Sequence, residues 1–214
     1  MKEEANYYSL ARPEVASWVP QKTRKILDVG CGEGFFLKLI KEKTGAETWG
    51  IEVEMEVADK AKDKVDNILI GKVEDVLNLI PNDYFDCITF NDVLEHLLEP
   101  TDVLIMLKSK LSEKGIIISS VPNVRYFYNL HELIIKKDWD YKNSGILDST
   151  HFRFFTKKSM KRMFEKAGYY IIKQEGIHEL TSWKIRLFNF LSFGIFDDSK
   201  FLQFVCIAQK SNHF

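Results

Sequence analysis

Hydrophobic residues in this chain fall into two patterns, short continuous runs and runs spaced three to four apart, and the two alternate along much of its length. Ile26, Leu27 and Val29 read as a buried strand, and Phe35, Phe36, Leu37, Leu39 and Ile40 then follow helical spacing. Further strands are predicted at Glu47–Ile51, Asn67–Ile70, Phe85–Phe90 and from Gly115 through GIIISSVPN, with an amphipathic helix over Thr101–Leu111. A helix from Thr156 to Ala167, ended by Gly168, leads into last strands at Tyr169–Gln174 and Phe201–Gln209. Upstream, Tyr7, Leu10, Val15 and Trp18 give a helical pattern over Tyr7–Val19, interrupted by Pro13 and ended by Pro20. Strands alternating with helices predict an α/β fold with a parallel sheet.

Two stretches break this rhythm. The segment Arg125–Phe155 is too long for an ordinary crossover and carries Tyr126, Phe127, Tyr128, Trp139, Tyr141, Phe152, Phe154 and Phe155. We expect residues 123–155 to form a cap over the active site. Trp183–Phe196 interleaves aromatic and aliphatic residues with Lys184 and Arg186. It is too short to span a bilayer, so contact of residues 183–196 with a membrane surface competes with intramolecular or dimer packing.

Composition narrows the class. A chain of 214 residues, 45% of them hydrophobic, can bury a full core and is most simply one domain, residues 1–214. A formal net charge of -1 provides no overall field to recruit nucleic acid. Cys31, Cys87 and Cys206 fit neither a disulfide framework nor a zinc spacing, which points to a reducing compartment. MKEEANYYSL lacks the features of a secretory leader, and no apolar run approaches about 20 residues, so a soluble, cytoplasmic protein is expected.

The chemistry concentrates after the first strand, where Gly30, Gly32 and Gly34 stand two apart. A glycine turn between strand and helix commonly holds a nucleotide, because backbone can lie close to the ligand. The dinucleotide spacing is G-x-G-x-x-G, however, and here it is G-x-G-x-G with Asp28 two residues before. A carboxylate at the strand end repels phosphates and attracts a cation, such as the ammonium and sulfonium of S-adenosylmethionine. A purely structural turn is the plainer alternative.

The stretch resembles motif I of the class I S-adenosylmethionine-dependent methyltransferases, (D/E)-x-G-x-G-x-G, matched by Asp28, Gly30, Gly32 and Gly34 with Cys31 inside the turn. The resemblance covers most of the chain. It implies a Rossmann-like three-layer sandwich, a seven-stranded sheet of order 3-2-1-4-5-7-6 with a reversed last strand, and S-adenosylmethionine as cofactor. Glu52, ending the second strand, has the offset and the two acceptor oxygens suited to ribose hydroxyls. Where the family often has an acid after the third-strand glycine, this chain has Lys72, leaving Glu74, Asp75 or the backbone of Val73 for the adenine. An N-terminal helix closing over the cofactor would bring Tyr7, Tyr8 and Arg12 to cofactor or substrate.

NDVLEHLLEP resembles motif IV of the small-molecule branch, which places Asn91 and Asp92 at the cofactor. Asp92, Glu95 and His96 fall at i, i+3 and i+4, on one face of a helical turn. Similar clusters in ubiquinone-biosynthesis O-methyltransferases are associated with a divalent metal. A short local cluster without further ligands argues more for holding loop and helix together, so no metal is assigned.

The strand exit Val121-Pro122-Asn123 and the stretch GILDSTHFRFFT resemble methyltransferases of bacterial surface-polysaccharide and lipid-modification systems. On that resemblance Asn123, Asp148 and Arg153 join Tyr8 and Arg12 as expected substrate contacts. Methyl transfer from a sulfonium releases a neutral thioether and needs no general acid, while a hydroxyl acceptor gains about 10²- to 10⁴-fold from a base. His151 is the first candidate base and His96 the second. A packed histidine bonded to Asp148 or to backbone is the alternative for His151. The expected function is methylation of a small molecule, most simply at oxygen of a sugar or lipid-linked sugar precursor. A quinone-precursor O-methyltransferase and a non-catalytic cofactor-binding subunit are the alternatives, and oligomeric state is left open.

Overall fold

The structure, a computed structural model, describes residues 8–211, so the expectation for Tyr7 lies outside the described residues. Seven strands form one sheet: β1 Lys25–Val29, β2 Glu47–Glu52, β3 Asn67–Ile70, β4 Phe85–Asn91, β5 Leu111–Pro122, β6 Tyr169–Glu179 and β7 Phe201–Lys210. Their order is β3-β2-β1-β4-β5-β7-β6, parallel from β3 to β5, with β7 inserted antiparallel between β5 and β6. The expected order and reversed strand are both present.

Strand alternation explains the layers. Successive side chains point to opposite faces, so Leu27, Val29, Ile88, Phe90 and Ile117 enter one core while Ile26, Cys87 and Ile118 enter the other. Helices close both. On one side α1 (Pro13–Ala16) and α2 (Phe35–Thr44) contribute Val15, Phe36, Leu37 and Ile40. On the other, α4 (Val73–Val76), α5 (Pro100–Leu107) and α7 (Lys157–Lys166) contribute Val73, Leu104 and Phe164; α3 (Met55–Ala61) follows β2. Each fully buried large side chain, such as Phe85, Phe90 or Phe164, contributes roughly 1.5–3 kcal/mol.

Local signals decided several boundaries. Pro13 starts α1 rather than interrupting a helix, since its fixed φ and missing N–H suit the first helical position; among the described residues of the expected 7–19 helix, only Pro13–Ala16 are α-helical. Thr156 caps α7 in a capping box, its Oγ1 accepting from Ser159 N (3.1 Å) while Thr156 N donates to Ser159 Oγ (2.8 Å). The helix expected over 101–111 runs Pro100–Leu107 and tightens into a 3-10 turn at Lys108–Lys110, and β5 begins at Leu111 rather than Gly115.

The two irregular stretches are helical in part. α6 (Phe127–His131) widens into a π turn at Glu132–Lys136, followed by backbone held at the isolated bridges Lys142↔Asp148 and Asn123↔Phe155. α8 (Trp183–Leu191) lies between β6 and β7. Among the described side chains of 183–196 Ile185 is buried, whereas Trp183, Phe190, Leu191, Phe193 and Ile195 are exposed, Phe193 at 95%. No helix among the described residues is long and apolar enough to cross a membrane.

Candidate active site at the carboxyl edge of the sheet

The parallel strands end together, and the crevice beyond their carboxyl ends is where such sheets hold ligands. Gly30, Gly32 and Gly34 adopt φ of 72°, 55° and 79°, the left-handed region that side chains disfavour. Space forbids a side chain as well. A Cβ on Gly30 would lie 2.5 Å from Val93 Cγ2, and one on Gly32 would lie 2.7 Å from the Tyr8 carbonyl oxygen. Gly30 N and Cys31 N donate to Ile51 O (2.8 and 3.0 Å), tying the turn to the end of β2.

Glu52 completes that tie. It is 4% exposed; its Oε2 accepts from Gly32 N (2.8 Å), and its Oε1 accepts from Val53 N (2.8 Å) and Glu54 N (3.1 Å). Three backbone donors use three of its roughly four lone-pair sites, so the turn itself positions this carboxylate. Glu33 N donates to Tyr8 O (2.9 Å), which lays the N-terminal segment on the turn through backbone.

Asp28 is buried at the centre. Its Oδ1 accepts from Thr89 Oγ1 (2.6 Å) and Asn91 Nδ2 (3.1 Å). Burial, only partly offset by these donors, pushes its pKa up to about 8. Among the described residues Asn91 Oδ1, itself buried, has no hydrogen-bond partner. A carboxyl group and an orphaned carbonyl oxygen beside three left-handed glycines fit a cationic ligand with N–H donors, the chemistry of S-adenosylmethionine. Cys31 is buried, and desolvation raises its thiol pKa, so it lines the turn without acting as a nucleophile. On the adenine side Val73 is buried, while Lys72, Glu74 and Asp75 are exposed around the first turn of α4.

Arg12 and Asp92 have partners other than those expected. Asp92, in the left-handed region at φ 55°, ion-pairs with Arg12 through Oδ2, which also accepts from Gln203 Nε2 (2.8 Å), and its Oδ1 accepts from Ser120 Oγ (2.8 Å). Arg12 also donates to Glu14 Oε1 (2.7 Å) and Gln203 Oε1 (3.0 Å). The pair ties the N-terminal segment to the ends of β4, β5 and β7, so Arg12 serves here as a latch. Nothing in the local sequence pointed to Ser120 or Gln203, since both arrive from distant strands.

Asp92 therefore does not join Glu95 and His96 on one helical face. Residues 94–96 form a single 3-10 turn, and the third member of the cluster is His151 from the segment 123–155, for which the label cap is kept. Phe152 N and Arg153 N donate to Glu95 O (2.9 and 3.0 Å), docking the cap onto that turn. Ligand atoms of Glu95, His96 and His151 lie within 4.8 Å of one another, and the two imidazole centroids are 4.6 Å apart. Glu95 is 1% exposed, both carboxylate oxygens lack a partner, and burial raises its pKa well above the ordinary range. Burial and the neighbouring His151 lower the pKa of His96.

Both rings have a defined tautomer. His151 Nδ1 faces Ile146 O at 3.0 Å, and a carbonyl only accepts, so Nδ1 carries the proton. His96 Nδ1 faces Thr150 O (3.3 Å) and Thr150 Oγ1 (3.1 Å); the Thr150 hydroxyl gives its own proton to Asp148 Oδ1 (2.7 Å) and so accepts here too. In the neutral form of each ring the lone pair is then on Nε2. Asp148 Oδ1 accepts from Thr150 N (2.8 Å) and Thr150 Oγ1 (2.7 Å), and among the described residues it makes no hydrogen bond to the His151 ring.

Two further expected substrate residues are engaged in structure. Asn123 is fully buried: its Nδ2 donates to Asp198 O and Phe201 O (both 2.9 Å), and its Oδ1 accepts from Arg125 N (3.0 Å). It ties the cap's start to β7 and caps no helix. Arg153 bonds Leu98 O and Glu99 Oε1 (3.2 Å), on the outer side of the cap junction.

Sheet order and glycine turn together define the Rossmann-like class of S-adenosylmethionine-dependent methyltransferases. The methyltransferase domain family model matches residues 2–174, and the chain belongs to that family. Curated relatives include a malonyl-[acyl-carrier protein] O-methyltransferase of Halalkalibacterium halodurans, 27% identical over 150 residues, 66% of this chain and 54% of the relative. A mitochondrial ubiquinone biosynthesis O-methyltransferase of Schizosaccharomyces pombe is 31% identical over 104 residues, 45% of this chain and 37% of the relative. The chain thus spans about half or less of the length of these two relatives. Among solved structures, a SAM-dependent methyltransferase from Archaeoglobus fulgidus shares the fold with a TM-score of 0.73 at 22% identity, covering 95% of this chain and 94% of that one.

Proposed function

We propose that the chain transfers a methyl group from S-adenosylmethionine to an oxygen atom of a small molecule, with a sugar or lipid-linked sugar precursor as the acceptor. The observation that carries the donor half is the buried acceptor set of Asp28, Asn91 and Glu52 around the left-handed glycine turn. Asp28 and Asn91 Oδ1 would receive the donor's amino group, Glu52 its ribose, and the 30–34 turn its backbone-proximal atoms. When bound, the cofactor supplies an electrophilic methyl group.

The chain's own contribution is alignment, which can supply roughly 7–11 kcal/mol, and management of the acceptor proton. Glu95, His96 and His151 provide that second function, because both imidazoles present an Nε2 lone pair at the cap junction. The apolar surface of 183–196 supports an acceptor carried at a lipid surface, with that segment resting on the membrane. Three free, buried cysteines support a reducing, cytoplasmic setting. The match to the ubiquinone biosynthesis enzyme favours a quinone precursor as the second acceptor class.

Calorimetric titration of S-adenosylhomocysteine into wild type and Glu52→Ala tests the donor half. Saturable binding is expected in wild type, weakened about tenfold or more in the variant as one charge-assisted hydrogen bond is lost. Wild-type protein that binds nothing would sink the reading. Tritium transfer to glycolipid, nucleotide-sugar and hydroxyquinone pools then separates the acceptor classes.

A further inference from the structure

Glu95 is buried with two unpartnered oxygens, and the side chains meeting it are two histidines whose Nδ1–H groups are already held by carbonyls. A buried carboxylate is ordinarily paired, hydrogen-bonded or metal-bound. Among the described residues no hydrogen-bond partner beyond its own backbone reaches it. Each imidazole has its Nδ1 hydrogen-bonded to a backbone carbonyl, which leaves Nε2 as the nitrogen for a ligand, the arrangement by which proteins orient histidine toward a metal.

We propose that Glu95, His96 and His151 bind one divalent transition-metal ion, of which zinc is the first case, at the seam between the 94–96 turn and the cap. Two imidazoles and one carboxylate suit zinc or iron(II) better than magnesium or calcium, which prefer an all-oxygen set. Three ligands around zinc, with bonds of about 2.0–2.2 Å, stand roughly 3.4 Å apart, so atoms within 4.8 Å of one another close on an ion by small side-chain rotations. Asp92 is not a ligand. Its oxygens are taken by Arg12, Gln203 and Ser120. The local sequence pattern of Asp92, Glu95 and His96 is thus replaced by a set that forms only when the cap is docked.

The ion would cross-link the cap to the end of β4, where Phe152 and Arg153 already bond the Glu95 carbonyl. Three protein ligands also leave at least one coordination position open. Resting on the methyltransferase reading, that position would take the acceptor oxygen and lower its pKa, which makes His151 a ligand rather than the base.

The test needs neither donor nor acceptor. Full-length protein stripped with a chelator is titrated with Zn²⁺ against a chromophoric competitor, and separately with Co²⁺, whose visible bands report nitrogen and oxygen ligation. One ion per chain is expected. Glu95→Gln and His151→Asn should each weaken binding by about 100-fold or more, beyond the 10- to 100-fold cost of losing an outer partner. Asp92→Asn removes a neighbouring charge but no ligand, so it should weaken binding by less than about tenfold. The Co²⁺ spectrum of wild type, bleached by Zn²⁺, keeps the proposal testable if a variant misfolds. Absence of saturable binding at one per chain, or equal affinity in wild type and both variants, overturns it. Loss in Asp92→Asn with retention in His151→Asn also overturns it, assigning the ion to the acids alone. Binding of S-adenosylhomocysteine to the same stripped protein reports separately on the donor site.

Discussion

Around the glycine turn the polar groups are buried and held by backbone: Glu52 by three amides, and the first two turn amides by Ile51 O. The cap and α8 show the reverse, with irregular backbone and large apolar side chains in solvent, including Tyr128, Ile134, Ile135, Phe190 and Phe193. One side is a buried, backbone-held turn and the other a largely exposed apolar surface. The difference follows from what each must recognise. A cofactor of constant shape can be met by backbone geometry set between adjacent strands, whereas an acceptor is met by loops on that scaffold, where exposed apolar patches commonly mark binding surfaces.

The strongest way to break this contrast is to loosen the latch joining the two sides. Arg12→Met removes one partner of a mostly buried pair and leaves Asp92 uncompensated, so denaturant unfolding should show a loss of about 3 kcal/mol. A change below 0.5 kcal/mol would mean the N-terminal segment is not part of the folded unit. Gly32→Ala comes next. Its φ and the Tyr8 carbonyl both oppose a methyl group, and strain of about 1–3 kcal/mol should lower S-adenosylhomocysteine affinity by roughly 5- to 150-fold.

A subtler test uses the buried acid. With its pKa raised to about 8, Asp28 holds its proton in the free protein at pH 7, while a bound cation favours the carboxylate and draws the pKa down. S-adenosylmethionine binding should then release a proton below pH 8 and tighten as pH rises toward 8, levelling above it. Calorimetry in buffers of different ionisation enthalpy measures that proton, and Asp28→Asn should abolish it. The smallest effect on the fold belongs to the other side. Phe193→Asp, at a residue 95% exposed, should shift stability by no more than about 0.5 kcal/mol while reducing sedimentation with anionic lipid vesicles. Vesicle binding unchanged in the variant would remove the membrane contact.

The sheet, its order and the donor turn could be read from the chain because their causes are local. Continuous apolar runs, three glycines two apart and an acid two residues before them act within a few residues of each other, and strand–turn–helix geometry does the rest. Pro13 and Thr156 illustrate how narrow that legibility is: both were noticed, but whether a proline breaks or starts a helix depends on which turn it occupies.

The other half of the site was settled only by packing. Asp92, Glu95 and His96 share a helical spacing in the sequence, yet the left-handed backbone at Asp92 delivers its carboxylate to Arg12, Ser120 and Gln203, 80, 28 and 111 residues away. His151 takes the vacated place beside Glu95 because the cap's backbone bonds to the Glu95 carbonyl. Periodicity along a chain reports which side chains share a face of one element. Which faces then meet depends on long-range burial and on satisfying polar groups from several elements at once, and that information exists only in the folded molecule.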